Sequence, residues 1–207
     1  MKKILHIISS PRGEASFSIK LGQAIVGKLE AAYPENTLKI HDLTKAPFAH
    51  LGKAQLNAFF TRPENRTAEN LSDLRQSEEA ISELFEADII VIGAPVYNMN
   101  IHSTLKAWID HIVRRGLTVR FNENGAEGLV KDKKVYLAIS SGWKYSEGEM
   151  KKFDFVEPYL RFILNLIGIT DIEVIRVEGS SVPAEQSIAL EQTMANFTAH
   201  KKSLADR

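Results

Sequence analysis

Three loops in this sequence combine polar and aromatic residues in a way that suits a bound flat ring with polar edges. The most distinctive loop consists of Pro95, Val96, Tyr97, Asn98 and Met99. It follows an unbroken apolar run, residues 89–92, which is typical of a strand buried on both faces of a parallel sheet. Open α/β sheets bind ligands beside the carboxyl ends of such strands. The loop therefore predicts a binding crevice. The alternative is a plain strand-to-helix turn with a half-buried tyrosine.

The second loop is rich in hydroxyl groups and leads from the first strand into the first helix. Ser10, Ser16 and Ser18 lie in it, with Phe17 between the last two. A helix N-terminus carries unpaired N–H donors and a partial positive charge, so this loop suits a phosphate. The glycine spacing of a dinucleotide motif and the lysine of a P-loop are both missing, which argues against a Rossmann dinucleotide site and a Walker NTPase. The alternative is that Ser16 or Ser18 merely caps the helix.

The third loop follows another buried strand and consists of Ser140, Ser141, Gly142 and Trp143. If the strand order is right, it lies beside the other two loops at the same edge of the sheet. A tryptophan among small residues in a loop could then cover a ligand. The alternative is that Trp143 packs in the core.

Five segments are predicted to form the strands that position these loops: residues 3–8, 37–41, 88–93, 134–140 and 171–177. The third is expected to stop at Pro95, because proline cannot donate to the ladder. Helices are predicted from Ser16 or Ser18, after residue 101, over 154–167 and over 183–200. We therefore predict one α/β domain over residues 1–207. It is a flavodoxin-like, doubly wound sheet of five parallel strands in the order 2-1-3-4-5.

Two segments elaborate this plan. The connection over residues 43–86 is too long for a structureless loop, and we predict a helical insert before the third strand, with helices at about 51–60 and 67–85. The second helix shows an apolar stripe of Leu71, Leu74, Ile81, Leu84 and Phe85. After the central helix, alternating apolar residues and turn residues at Asn124, Gly125 and Gly128 predict a small hairpin or flap that carries Phe121.

The composition argues against several classes of function. Lys+Arg and Asp+Glu both number 26, and this balance argues against a nucleic-acid partner, since such proteins neutralise phosphates with clustered cations. The chain has no cysteine, which excludes disulfides, thiolate catalysis and cysteine-based metal sites. Its six histidines form no metal-ligand pattern, and His102, at the start of the central helix, is expected to be neutral and on the surface. No apolar segment suits a signal peptide or a membrane span, so we expect a cytoplasmic protein.

The chain resembles the FMN-dependent NADH:quinone oxidoreductases, also called FMN-dependent NADH-azoreductases, which are flavodoxin-like homodimers. The resemblance runs over essentially the whole chain. Its most specific pieces are the two serine segments Ser9–Ser10 and Ser16–Ser18, the segment Ala94–Ile101, the segment Glu123–Val130, and Pro158-Tyr159-Leu160 followed by Ile167–Asp171.

The resemblance assigns a role to each loop. It implies that Ser10 and Ser16–Ser18 hold the FMN phosphate, that Val96–Met99 hold the isoalloxazine ring, and that Ser140–Trp143 complete the pocket. The family often has Ser-Arg-Gly-Gly after the fourth strand, whereas here Ser141 and Trp143 replace the arginine and the second glycine. Phe121 occupies a flap position where a tyrosine is also found, and with Trp143 it would wall the acceptor site.

The resemblance also implies a reaction: two electrons pass from NADH through bound FMN to a quinone or an aromatic azo compound, with ping-pong kinetics. The flavin N5 would carry the chemistry, so no side chain is predicted to be catalytic and no metal is expected. Two other classes of protein stay open. One is a flavodoxin-type electron carrier, and the other is a flavin-binding sensor without turnover.

Overall fold

The computed structural model describes residues 1–123, 125–179 and 181–199. Its strands are β1 (Lys2–Ile8), β2 (Asn36–Asp42), β3 (Ile89–Pro95), β4 (Val119–Asn122), β5 (Gly125–Gly128), β6 (Lys134–Ser140) and β7 (Asp171–Val177). Its α-helices are α1 (Phe17–Ala32), α2 (Lys53–Phe60), α3 (Ala68–Glu86), α4 (Ser103–Ile112), α5 (Val156–Ile167) and α6 (Pro183–Asn196). No helix within these ranges is both long and apolar enough to cross a membrane.

Five of the strands form one parallel sheet in the order β2-β1-β3-β6-β7. Because β4 and β5 lie outside this sheet, β6 and β7 are its fourth and fifth strands. The predicted order 2-1-3-4-5 is therefore confirmed. Strand β3 includes Pro95, and the missing proline N–H is tolerated there because the pairing continues from the Val96 N–H to the Ser140 carbonyl at 2.9 Å.

Helices cover both faces of the sheet, which explains the unbroken apolar run of β3. Ile90 and Ile92 pack in a core with residues of α3, α4 and α5. Ile89 and Val91 point to the opposite face and pack in a second core with residues of α1 and α6. Successive residues of one strand thus enter different cores, and none of them can be polar without an unpaired buried group.

The connection between β2 and β3 contains α2 and α3. A parallel pair of strands requires a crossover, and α3 provides it, so the additional part is the segment that carries α2. The apolar stripe predicted for α3 is only partly right, since Leu71 and Phe85 are exposed. A buried polar residue, Ser77, lies on the packed face instead. Its hydroxyl donates to the His111 carbonyl at 2.6 Å and accepts from the Arg114 Nη1 at 2.7 Å.

The predicted hairpin is formed by antiparallel β4 and β5, with Phe121 opposite Ala126. The predicted turn residue Asn124 lies outside the described residues. The sequence predicted Gly128 as a turn residue, and this prediction is wrong. Gly128 is the last residue of β5 and packs against the end of α5. A Cβ on Gly128 would lie 2.1 Å from the backbone nitrogen of Gly168. The hairpin therefore touches α5 through bare backbone.

The ends of the last two helices differ slightly from the prediction. Helix α5 begins at Val156 rather than Asp154, because the Asp154 carboxylate accepts the N–H groups of Val156 and Glu157 at 3.0 and 3.2 Å. Gly168 ends α5 in the left-handed region with φ of 107°, a conformation that favours glycine at the end of a helix. Helix α6 ends at Asn196, and the predicted end at His200 lies outside the described residues.

Candidate functional site

The three predicted loops meet at the carboxyl edge of β1, β3 and β6, as expected from the strand order. They line a narrow cavity of about 70 Å³. Its walls are Arg12, Ser16, Phe17, Pro95, Val96, Tyr97, Ser140, Ser141, Gly142 and Gln186. The sequence predicted all of these residues except Arg12 and Gln186. The structure therefore brings together part of each predicted loop, whereas five of the predicted loop residues do not line this cavity: Ser10, Ser18, Asn98, Met99 and Trp143.

The hydroxyl-rich loop presents a helix N-terminus that no side chain caps. Ser10, Ser16 and Ser18 are 1%, 2% and 0% exposed, and the hydroxyl groups of Ser16 and Ser18 hydrogen-bond each other at 3.0 Å. Ser16 occupies the N-cap position of α1, as the alternative predicted, but its side chain makes no capping hydrogen bond. The first N–H groups of an α-helix have no acceptor within the helix. This end of α1 therefore offers donors and partial positive charge to an anion.

A cation reinforces this end of the cavity. Arg12 lines the cavity and forms no ion pair with any of the described residues. None of the residues that line the cavity is acidic, and Glu14, in the same loop, is exposed and does not line it. Arg12 was not among the residues predicted from the sequence, although a guanidinium among hydroxyl groups is a local sign of an anion site.

The loop after β3 folds into a strained two-residue turn. The N–H of Tyr97 donates to the Asn100 carbonyl, and the N–H of Asn100 donates to the Tyr97 carbonyl, both at 2.9 Å. Asn98 and Met99, the central residues, have φ of 49° and 66°. Positive φ at both positions is the mark of a type I′ turn. Tyr97 is half-buried while Asn98 and Met99 are exposed, so the turn holds the tyrosine against the cavity and leaves the two side chains outside it.

Met99→Gly is expected to raise the free energy of unfolding by about 0.5–1 kcal/mol. A side chain in the left-handed region costs about 1–2 kcal/mol, and the greater freedom of glycine in the unfolded chain offsets part of that gain. Chemical denaturation of the purified protein measures the change. Met99→Ala is the matched control, because it removes the same side chain but keeps the Cβ that causes the strain. An equal gain in both variants would contradict the argument.

The loop after β6 is tied down by its own polar groups. The Ser141 hydroxyl donates to the Trp143 carbonyl at 2.7 Å, and the Ser141 N–H donates to the Val177 carbonyl at 3.0 Å. Trp143 is 65% exposed, so the alternative that it packs in the core is wrong. Its ring does not line the cavity either. Met99 and Phe121 are also exposed and, like Trp143, do not line the cavity.

A larger cleft of about 650 Å³ adjoins the cavity and shares Tyr97 with it. His102 and Tyr159 line this cleft, and the rings of His102 and Tyr97 meet edge to face with centroids 5.5 Å apart. Burial lowers the pKa of His102, and its Nδ1 accepts the Thr104 N–H at 3.3 Å, so the ring is neutral as predicted. The ring is partly exposed at the wall of this cleft and packs against Tyr97, so its expected surface position is partly right.

Within the described ranges, no group of three or more histidines and carboxylates is arranged to hold a metal ion. The cavity also has no carboxylate or histidine in its walls. What it offers is an anion site at one end, backbone groups along the β3 and β6 loops, and an aromatic ring between them. Such a set of groups binds and orients a ligand and leaves the reactive chemistry to it.

The fold and the position of the cavity define a flavodoxin-like α/β protein with its ligand site at the carboxyl edge of the sheet. A family model described as "Flavodoxin-like fold" matches residues 2–200. The structure is similar to that of an azoreductase from Bacillus anthracis, with a TM-score of 0.85 and 27% identity over 94% of this chain and 98% of that one.

Comparison with curated proteins gives the family itself. The chain is 41% identical to the FMN-dependent NADH:quinone oxidoreductase of Mesorhizobium japonicum over 197 residues, which cover 95% of this chain and 94% of that protein. It is 40% identical to the protein of the same name from Agrobacterium fabrum over 205 residues, covering 99% and 98%. The chain belongs to the family of FMN-dependent NADH:quinone oxidoreductases.

Proposed function

We propose that the cavity at the three loops binds FMN and that this oxidoreductase passes two electrons from NADH to a quinone. The observation that carries the proposal is the uncapped N-terminus of α1, with buried serine hydroxyl groups and Arg12 beside a crevice lined by backbone and Tyr97. The relatives named above carry FMN, NADH and quinone in their names, which supports the same assignment.

The groups present fit the two ends of FMN. Ser10, Ser16 and Ser18, with the N–H groups of the first turn of α1, would hold the phosphate, and Arg12 would offset its charge. The loops Pro95–Met99 and Ser140–Trp143 would hold the ring. A cavity of about 70 Å³ is too small to enclose a ring system of this size, so one face of the ring would stay open. We propose that Trp143, Phe121 and Met99 form the rim around that face.

FMN, when bound, supplies two-electron redox chemistry at its N5. The residues of the chain bind and orient it. Tyr97 and Asn98 would fix the ring, and the hydrophobic rim, formed by Phe121 and Trp143, would exclude water from the open face. Because a single open face would serve both substrates, NADH must leave before the acceptor enters. We therefore expect ping-pong kinetics.

The visible absorption spectrum of the purified protein, before and after anaerobic NADH, tests the proposal. We expect a yellow protein that bleaches within seconds and regains its colour when a quinone is added. A yellow protein that NADH leaves unchanged would indicate an electron carrier or a sensor. A colourless protein that cannot be loaded with FMN would contradict the assignment of all three loops.

Tyr97→Ala and Asn98→Ala are each expected to weaken FMN binding by about 10- to 100-fold. Removing the ring of Tyr97 takes away half-buried contact surface at the cavity, and Asn98→Ala removes the residue best suited to positive φ in the turn. Fluorescence titration of the apoprotein with FMN measures the dissociation constants. His50→Ala, at an exposed site remote from the loops, is the control. Unchanged flavin content in both turn variants would overturn their assignment.

We also propose that aromatic azo compounds are acceptors and that the enzyme is a homodimer. The azoreductase neighbour supports the first point. Large apolar side chains that stay exposed support the second, among them Phe60 at the end of α2 and Phe162 on α5, which are 80% and 66% exposed. Anaerobic decolourisation of an azo dye with NADH tests the first. Sedimentation at twice the 23.2 kDa chain mass tests the second.

A further inference from the structure

The cavity contains one buried amide that none of the three loops supplies. Gln186 lies at the start of α6, is 8% exposed, and lines the cavity beside Ser141 and Gly142. Its Nε2 donates a long hydrogen bond of 3.4 Å to the Ser141 carbonyl. Among the residues that the structure describes, neither the second N–H of this amide nor its Oε1 carbonyl has a hydrogen-bond partner.

An amide that lines a cavity in this way can complete its hydrogen bonds with a ligand. A carboxamide offers two N–H donors and a carbonyl oxygen, and Gln186 uses one of these donors, in a long hydrogen bond. The neighbouring Ser141 has no donor left for the Oε1 of Gln186, because its hydroxyl and its N–H already donate to the Trp143 and Val177 carbonyls. Gln186 thus keeps a donor and an acceptor available at the part of the cavity formed by the β6 loop.

We propose that the carboxamide of Gln186 is a cofactor-binding residue that hydrogen-bonds the pyrimidine edge of the FMN ring. This inference rests on the proposed function. A carboxamide presents a donor and an acceptor side by side, and the pyrimidine edge of the isoalloxazine carries carbonyl oxygens on either side of an N–H. The dimethylbenzene edge has neither. The amide therefore selects one orientation of the ring and contacts the edge where negative charge accumulates on two-electron reduction.

Two substitutions test the role of Gln186. Gln186→Leu keeps a similar size and removes both polar atoms, so we expect the dissociation constant of FMN to rise about tenfold. Gln186→Glu places a carboxylate at the same edge. We expect it to weaken the binding of reduced FMN about tenfold more than that of oxidised FMN, which lowers the two-electron midpoint potential by about 30 mV. Gln192→Leu, an exposed glutamine on the same helix, is the matched control for both measurements.

The midpoint potential separates a direct contact from a structural role. If Gln186 only ties α6 to the β6 loop, Gln186→Glu leaves the potential of bound FMN at the wild-type value, and the inference is overturned. If Gln186→Leu does not fold, the potential of Gln186→Glu decides alone. A wild-type protein that binds no FMN would overturn the proposed function together with this inference. A wild-type protein that binds FMN, with both variants equal to the Gln192→Leu control, would overturn this inference alone.

Discussion

Gly128→Ala is expected to lower the free energy of unfolding by about 3–5 kcal/mol, a large effect for a single added methyl group. The new Cβ would lie 2.1 Å from the Gly168 nitrogen and 2.3 Å from the Gly168 Cα and the Ile167 carbonyl carbon. All three are backbone atoms, so no side chain can move aside. Either β5 or the end of α5 must shift by more than 1 Å to reach normal contact distance.

The shift would also break the interactions that fix this junction. The Val130 N–H donates to the Ile167 carbonyl at 2.8 Å, directly beside the clash. Gly168 cannot adapt, since its φ of 107° and its hydrogen bond to the Asn165 carbonyl complete the end of α5. Displacing β5 moves its partner β4 and with it Phe121. We therefore expect slower quinone reduction in addition to lower stability.

Urea denaturation of wild type and variant measures the loss of stability, and the midpoint is compared at a constant m-value. Gly27→Ala is the matched control, because Gly27 lies within α1 and a Cβ there would meet no atom within 4 Å. Its substitution is expected to stabilise the protein by about 0.5–1 kcal/mol, since alanine is the better helix former. Equal urea denaturation midpoints for Gly128→Ala and wild type would contradict the prediction, because they would show that β5 and the end of α5 accommodate the added methyl group without loss of stability.

The sheet could be predicted from the sequence because a strand that is buried on both faces consists of consecutive apolar residues. Residues 89–92 and 135–139 are unbroken apolar runs, residues 4–8 are apolar apart from His6, and each segment is followed by a polar loop and a helical pattern. The order of parallel strands then follows from the short list of doubly wound topologies. Once that order is fixed, the loops after the first, third and fourth strands must meet at one edge. The position of the cavity between these loops could therefore be predicted from the sequence.

The residues that the sequence missed depend on contacts between distant segments. Gln186 reaches the Ser141 carbonyl from 45 residues away, and its position in an ordinary helix start gives no local sign of this contact. The sequence also left open whether Trp143 covers a ligand or packs in the core, because no pattern in its own loop decides between exposure and burial. Gly128 was read as a turn glycine since local patterns cannot show that a helix end presses on it. Tertiary packing decided all three.

Lowering the pH from 7.5 to 5 is expected to reduce the free energy of unfolding by about 2 kcal/mol through His6 alone. His6 lies on β1 with 1% of its surface exposed, and its Nε2 is buried without a hydrogen-bond partner. The ring occupies space that α1 leaves open at Gly22, where a Cβ would lie 2.5 Å from this nitrogen. Burial lowers the pKa of His6 from 6.5 to about 4, because the charged ring cannot be solvated there.

The free energy of unfolding falls with pH because the unfolded state binds the proton on His6 more readily than the folded state does. Below pH 6.5 the unfolded chain protonates His6, whereas the folded protein keeps the ring neutral until about pH 4. The stabilisation is therefore complete above pH 6.5 and is lost as the pH falls toward 4. Burial lowers the pKa of His102 and His111 in the same direction, so they add to the slope. Glu83 and Asp88, whose pKa values are lowered, lose their contribution only at more acidic pH.

Urea denaturation between pH 7.5 and 5, in the presence of saturating FMN, separates His6 from the other groups. His6→Leu removes the titrating ring and fills the same apolar space, so its stability should fall about 2 kcal/mol less over this range than that of wild type. The absolute stability of the variant does not matter, because only the change with pH is compared. His50→Gln, at an exposed site, should keep the wild-type slope. If His6→Leu kept the wild-type slope as well, the acid sensitivity would have to come from the remaining buried histidines, His102 and His111.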